Sequence, residues 1–195
     1  MSQVWRCNMS FDRGKLYCVN AASGTGKTSL CSFIMGVRTD YTGSILFDDH
    51  DVSQFGIEKW CELRRRHLAY LPQELYVFDE LSAIDNVLLK NRLTDYKSEA
   101  EIRAMFERLE IDNRINTPAG RMSVGQKQRM ALIRALCQPF DFILLDEPVS
   151  HLDKYNNALC GEMVTEAAAA LDAGVIYTSV SEHLIVNKPF IPLSL

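Results

Sequence analysis

The stretch NAASGTGKTSL, Asn20 to Leu30, sets two glycines, a lysine and a hydroxyl in close succession. That order suits a polyphosphate. Gly24 and Gly26 lack a Cβ, so the backbone there can curl with its N–H groups pointing inward. A helix opening behind them would add the positive end of its dipole. Lys27 can reach the outer phosphates, the Thr28 hydroxyl can ligate Mg²⁺, and Ala22, Ser23, Thr25 and Ser29 complete the cradle. The phosphate-loop pattern G-x-x-x-x-G-K-[ST] fails only at its first position, where Ala21 stands for glycine. If that residue needed a left-handed backbone, alanine would cost on the order of 1 kcal/mol, enough to weaken a site but not to abolish it. The competing reading is a glycine-rich turn with no ligand. The apolar run KLYCVN before the loop and the helical spacing of KTSLCSFIMG after it weigh against that reading.

A second constellation is FILLDEP. A buried strand delivers Asp146 and Glu147 at its carboxyl end, where open α/β sheets bind ligands. Asp146 is expected to hold Mg²⁺ through water, and Glu147 to polarise an attacking water. Two acids after a strand could equally cap the next element. Their pairing with the glycine loop is what gives them weight.

The elements that position these residues follow from periodicity. GSILFDD and VWRCNMSF alternate as strands of a side sheet, EKWCELRRR is helical, and HLAYLPQ is a strand closed by Pro72. From Glu74 to Met122 amphipathic helical patterns, AIDNVLLK and SEAEIRAMFERLEI, take over. SVGQKQRMALIRALC is a helix with Ser123 as its N-cap, and YNNALCGEMVTEAAAALDAG is a helix ended by Gly174. VIYTS is another buried strand, and PFIPLSL closes the chain. Strands alternating with helices predict an α/β fold with a mostly parallel sheet.

The 195 residues suffice for one domain, at 47% hydrophobic and 24% charged. A net charge of -4, with RRRH at 64–67 as the one basic cluster, gives no pointer to nucleic acid; the cluster reads as a solvated helix end. Six scattered cysteines without a CxxC pair read as reduced, buried thiols rather than disulfides or a zinc site. No N-terminal apolar segment suggests secretion. No apolar run approaches the roughly 20 residues that span a bilayer, so a role at a membrane needs another chain to do the spanning.

With both motifs placed, the chain resembles ATP-binding cassette (ABC) ATPases along almost its whole length. YLPQELYVFDELSAIDNV resembles the Q-loop region, with Gln73 at the glutamine. MSVGQKQRMALIRAL resembles the signature usually written LSGGQ, and SHLD, ending at Asp153, resembles the D-loop. The layout is most similar to the lipoprotein-release, macrolide-export and FtsE group. The resemblance implies a P-loop NTPase core at 1–73 and 123–195, an antiparallel side sheet, and a helical subdomain at 74–122. It implies ATP and Mg²⁺ as ligands, with Thr28, Gln73 and Asp146 around the metal and Glu147, Gln73 and Ser179 at the reacting phosphate. It also implies a head-to-tail pair of cassettes, identical or related. Ser123, Gly125, Gln126 and Asp153 of one copy would face the nucleotide of the other. An integral membrane permease would dock near the Q-loop, with the chain peripheral on the cytoplasmic face.

Four departures stand out. Ala21 is one. Val124 takes the place of the first signature glycine. The segment ahead of the loop leaves no room for the family's upstream adenine-stacking aromatic, and Trp5 and Tyr17 read as core. Ser179 stands where the family has its switch histidine, and His183, four residues on, reads as a surface residue. The leading expectation is therefore the ATP-hydrolysing subunit of a transporter or related membrane complex, turning over slowly. A hydrolysis-poor regulatory subunit and a soluble ABC ATPase outside transport are the alternatives.

Overall fold

The computed structural model describes residues 2–180 and 183–195. Strand β1 (Leu16–Asn20) leads into helix α1 (Lys27–Ile34). Two short strands follow, β2 (Leu46–Phe47) and β3 (His50–Asp51), then α2 (Ile57–Arg66) and β4 (Leu68–Leu71). Helices α3 (Ala83–Asn91) and α4 (Glu99–Arg108) occupy the stretch before α5 (Val124–Leu136). The chain ends with β5 (Phe142–Asp146), α6 (Lys154–Ala170), β6 (Gly174–Ser179) and β7 (Ile191–Ser194).

The main sheet runs β4-β5-β6-β1-β7, and all four pairings are parallel. Successive strand residues point to opposite faces, and both faces are covered. Tyr17, Val19, Leu68, Leu144 and Ile176 pack with Leu30, Cys31 and Leu63 from α1 and α2. Leu16, Cys18, Ala69, Ile143, Leu145, Val175 and Tyr177 pack in a cluster that includes Val87, Phe106, Ile133 and Val164 from α3, α4, α5 and α6. The register places Asn20 beside Ser179 and Asp146 beside Thr178. The carboxyl ends of the three central strands thus finish level with one another.

Several expectations need correction. The 4–11 segment is not a strand. The Ser2 hydroxyl accepts from the N–H groups of Val4 and Trp5, and Arg6 is left-handed at φ 60°, so local hydrogen bonds curl the chain before it can extend. The antiparallel side sheet is present, among the described residues as the pair β2-β3, without the 4–11 segment. Helix α6 stops at Ala170, and the reversal falls at Asp172, φ 50°. Gly174 instead opens β6, where a Cβ would meet the Phe142 ring at 2.4 Å. The tail forms an added edge strand, β7, which tolerates Pro192 because an edge has a side without ladder bonds. Cys18, Cys31, Cys137 and Cys160 are buried, but Cys7 and Cys61 are exposed; all six are free thiols. Burial pushes the thiols of Cys137 and Cys160 up to about 12, which keeps them protonated.

Candidate nucleotide site

The loop between β1 and α1 has the curl that its glycines permit. Gly24 and Gly26 have φ of 79° and 106°, in the left-handed region where any side chain is strained. Ala21 is not among the left-handed residues, so the cost entertained for an alanine there does not arise. Its N–H donates to the Ser179 carbonyl at 3.2 Å, which ties the loop to β6. The Thr25 hydroxyl donates to the Ala22 carbonyl at 2.7 Å. Ser23 is exposed at the tip, and the Ser29 hydroxyl accepts from Arg38 at 2.9 Å. Helix α1 begins at Lys27 and has no side-chain N-cap, so its first-turn N–H groups, which have no partner within the helix, open toward the loop.

Lys27 is 4% exposed. Its ammonium donates to the carbonyls of Ala21 and Ala22 at 3.1 and 3.0 Å and lies 3.4 Å from Glu147 Oε1. The other Glu147 oxygen accepts from Gln73 Nε2 at 3.3 Å, and Gln73 Oε1 accepts from the Thr28 hydroxyl at 3.4 Å. Residues spread over 120 positions of the chain therefore close a ring: Lys27, Glu147, Gln73, Thr28. Glu147 itself has φ 50°, rare for a non-glycine residue, and such strain gathers at functional sites.

Beneath the ring lies Asp146, 1% exposed. Its Oδ1 accepts from the Thr178 hydroxyl at 2.6 Å, and that hydroxyl accepts the Glu147 N–H at 3.1 Å. Among the described residues Asp146 Oδ2 has no hydrogen-bond partner. A buried carboxylate oxygen left unpaired is costly, and a hydrated cation beside it would remove the cost. The oxygen donors Asp146, Thr28 and Gln73 are a hard set that fits Mg²⁺. Thr178 was not singled out from the sequence; its place at the end of a wholly buried strand was the only signal. The Ser179 side chain is buried at the same end.

Ser123, Gly125, Gln126 and Asp153 form a second group. The Ser123 hydroxyl accepts from the Gln126 N–H, and Gln126 Oε1 accepts from the Ser123 N–H, a reciprocal capping box opening α5. Val124 is exposed there. Asp153 caps α6 by accepting from the Asn156 N–H. Among the described residues no hydrogen bond or ion pair joins this group to the glycine loop. His183 is exposed; its Nδ1 lies 3.4 Å from Cys18 Sγ and its ring stacks on Phe190. Tyr17 is core, its hydroxyl accepting from the Asp12 N–H. Trp5 is only partly buried, and its indole lies 3.3 Å from where a Cβ on Gly26 would stand.

A glycine loop, a lysine and two strand-end carboxylates on a parallel sheet, with a capped helix nearby, define a class of nucleotide-binding protein. The ABC transporter family model matches residues 4–150, and the chain belongs to that family. It is 32% identical over 155 residues to the macrolide export ATP-binding/permease protein MacB of Shewanella sp. (strain ANA-3), covering 76% of this chain and 23% of that one. It is 23% identical over 189 residues to the lipoprotein-releasing system ATP-binding protein LolD of Buchnera aphidicola, covering 95% and 82%. The dimeric structure of MJ0796, a bacterial ABC transporter cassette, superposes with a TM-score of 0.82 at 21% identity over 96% of this chain and 84% of that one, a likeness of fold. No helix among the described residues is long and apolar enough to cross a membrane.

Proposed function

We propose that this chain binds and hydrolyses ATP as the nucleotide-binding subunit of a membrane transporter or related membrane complex. The observation that carries the reading is the ring Lys27–Glu147–Gln73–Thr28 at the mouth of the parallel sheet. ATP would lie along residues 21–29, its phosphates replacing the Ala21 and Ala22 carbonyls as partners of Lys27. Thr28, Gln73 and Asp146 would hold Mg²⁺, which when bound neutralises developing phosphate charge. Glu147 would orient the attacking water and take its proton.

Hydrolysis should be slow. Ser179 has a hydroxyl where an imidazole would reach further, and losing one preorganised donor to developing charge costs on the order of 10²–10³ in rate. Two copies would pair head to tail, with Ser123, Gly125, Gln126 and Asp153 facing the partner's nucleotide. The MacB and LolD likenesses support a membrane subunit as a further partner. So do Tyr76 and Phe78, which follow Gln73 in the chain at 69% and 54% exposure. The helical segment 74–122 would then be the docking subdomain, and the chain would sit on the cytoplasmic face of the membrane. Sedimentation of the Glu147→Gln variant with ATP and Mg²⁺ tests the pairing: a nucleotide-dependent dimer is expected. A persistent monomer would contradict self-pairing.

A further inference from the structure

Gln128 lies one turn into α5 beyond the capping box. It is 3% exposed, a polar side chain buried inside the fold. Its Nε2 donates to the carbonyl of Glu147 at 3.2 Å, and its Oε1 accepts from the N–H of His151 at 3.3 Å. One buried amide thus holds both ends of the turn that carries Glu147 into 150–153. The chemistry of that link is narrow. It needs a donor and an acceptor on one planar group at a fixed reach; Glu lacks the donor, Leu lacks both, and Asn is a methylene shorter. The turn needs holding, because Glu147 is left-handed at φ 50° and a non-glycine residue stays there only when its surroundings fix it. A second observation ties the same elements. A Cβ on Gly125 would stand 3.1 Å from the His151 carbonyl, so the opening of α5 packs directly on the turn's backbone.

We propose that Gln128 is the positioning residue for Glu147, and that through it α5 governs hydrolysis at this chain's own loop. The proposal rests on the ATPase reading. In a head-to-tail pair, Ser123 and Gly125 serve the partner's nucleotide while Glu147 serves the chain's own. Gln128 is then the link between the two sites. Seating of α5 on one nucleotide sets the carboxylate that acts on the other. Gln128 touches neither nucleotide, so its loss should slow turnover without weakening ATP binding.

The test compares wild type with Gln128→Leu, which removes both hydrogen bonds, and Gln128→Glu, which keeps only the acceptor for His151. ATP affinity by calorimetry, steady-state phosphate release and backbone hydrogen exchange are measured on the full chain. Loss of a bond to a buried backbone group should lower kcat by about tenfold or more, with KM and ATP affinity within about twofold. Amides of 147–152 should exchange faster while those of β5 are unchanged. The dependence of rate on ATP concentration should also lose cooperativity in both variants. If Gln128→Leu fails to fold, Gln128→Glu alone decides. Turnover within twofold of wild type in the folded variants, or unaltered exchange at 147–152, overturns the proposal. A wild type that binds ATP and never hydrolyses it would instead contradict the ATPase reading, and the exchange result would still judge Gln128.

Discussion

The Lys27 ammonium and the Glu147 carboxylate stand 3.4 Å apart, the first almost fully buried and the second largely so. One would hold phosphate and the other would work on water, so nucleotide binding must exchange this pairing for a new one. Removing the carboxylate should make that exchange easier. Nucleotide binding to wild type must first break this buried pair, so Glu147→Gln should bind ATP more tightly than wild type. Fluorescence titration with a labelled ATP analogue checks this. Weaker binding would mean that Glu147 helps to hold the nucleotide.

Ala21→Gly should bring no gain. Ala21 is not left-handed, and its N–H is already engaged by Ser179. Glycine would add freedom to the unfolded chain and lower stability by about 0.4–1 kcal/mol. ATP affinity should stay within about twofold of wild type by the same argument. A large rise in affinity would show that the loop reshapes around phosphate and needs glycine then.

Trp5 stands beside Gly26, while Tyr17 is locked in the core. Of the two, Trp5 is the aromatic beside the glycine loop, and stacking on a base is the role to test for it. Base stacking is worth roughly 1–3 kcal/mol in other settings and is tolerant of base identity. Trp5→Ala should weaken ATP and GTP alike, by about tenfold. Wild type should prefer ATP over GTP by less than about tenfold in competition. Equal affinity in Trp5→Ala and wild type would return Trp5 to a purely structural role.

The strand, loop and helix around Lys27 were legible because each carries a strong local signal. LYCV, Leu16 to Val19, is continuously apolar, Gly24 and Gly26 mark the curl, and helical spacing resumes after them. The carboxyl-end position of Asp146 was legible from FILLD for the same reason. What the sequence hid is non-local. The Gln128 amide meets Glu147 and His151 across 19 and 23 residues, a pairing that no periodicity encodes. Strand β7 was hidden by Pro192 within it and Pro189 just before it, and residues 4–11 misled because the Ser2 turn outweighs their alternation. Trp5 does pack against the core, on Phe33, but its contact with Gly26 is tertiary and carries no sequence signal.

The capping box of α4 gives a pH signature. Glu101 accepts from the Ser98 N–H first, then from the Ser98 hydroxyl and Lys97, and these hold its carboxyl at about 2, below its ordinary 4.5. A folded value below the unfolded one adds stability that is fully present above 4.5 and is lost as pH falls toward 2. Glu101→Gln should lower Tm by about 2 °C at pH 7, and the gap should narrow as pH falls below 4.5 and close toward pH 2. Scanning calorimetry at several pH values checks this; a gap independent of pH would mean that the charge is not what stabilises the cap.

Ser179→His should raise steady-state phosphate release by about tenfold or more and leave ATP affinity nearly unchanged, since the added donor acts on charge that develops in the transition state. His183→Ala should change neither, because His183 rests on Cys18 and Phe190. Loss of turnover in His183→Ala would show that His183 enters the site when nucleotide binds.

The central claim is that residues 21–29 hold ATP through Lys27 with Mg²⁺. Isothermal calorimetry of ATP into wild type and Lys27→Ala, each with and without Mg²⁺, tests it most directly. Saturable binding that Mg²⁺ strengthens is expected of wild type. Charge-assisted hydrogen bonds are worth about 1.5–3 kcal/mol, so Lys27→Ala should bind about 10- to 100-fold more weakly. Equal affinity in the two proteins would contradict the account.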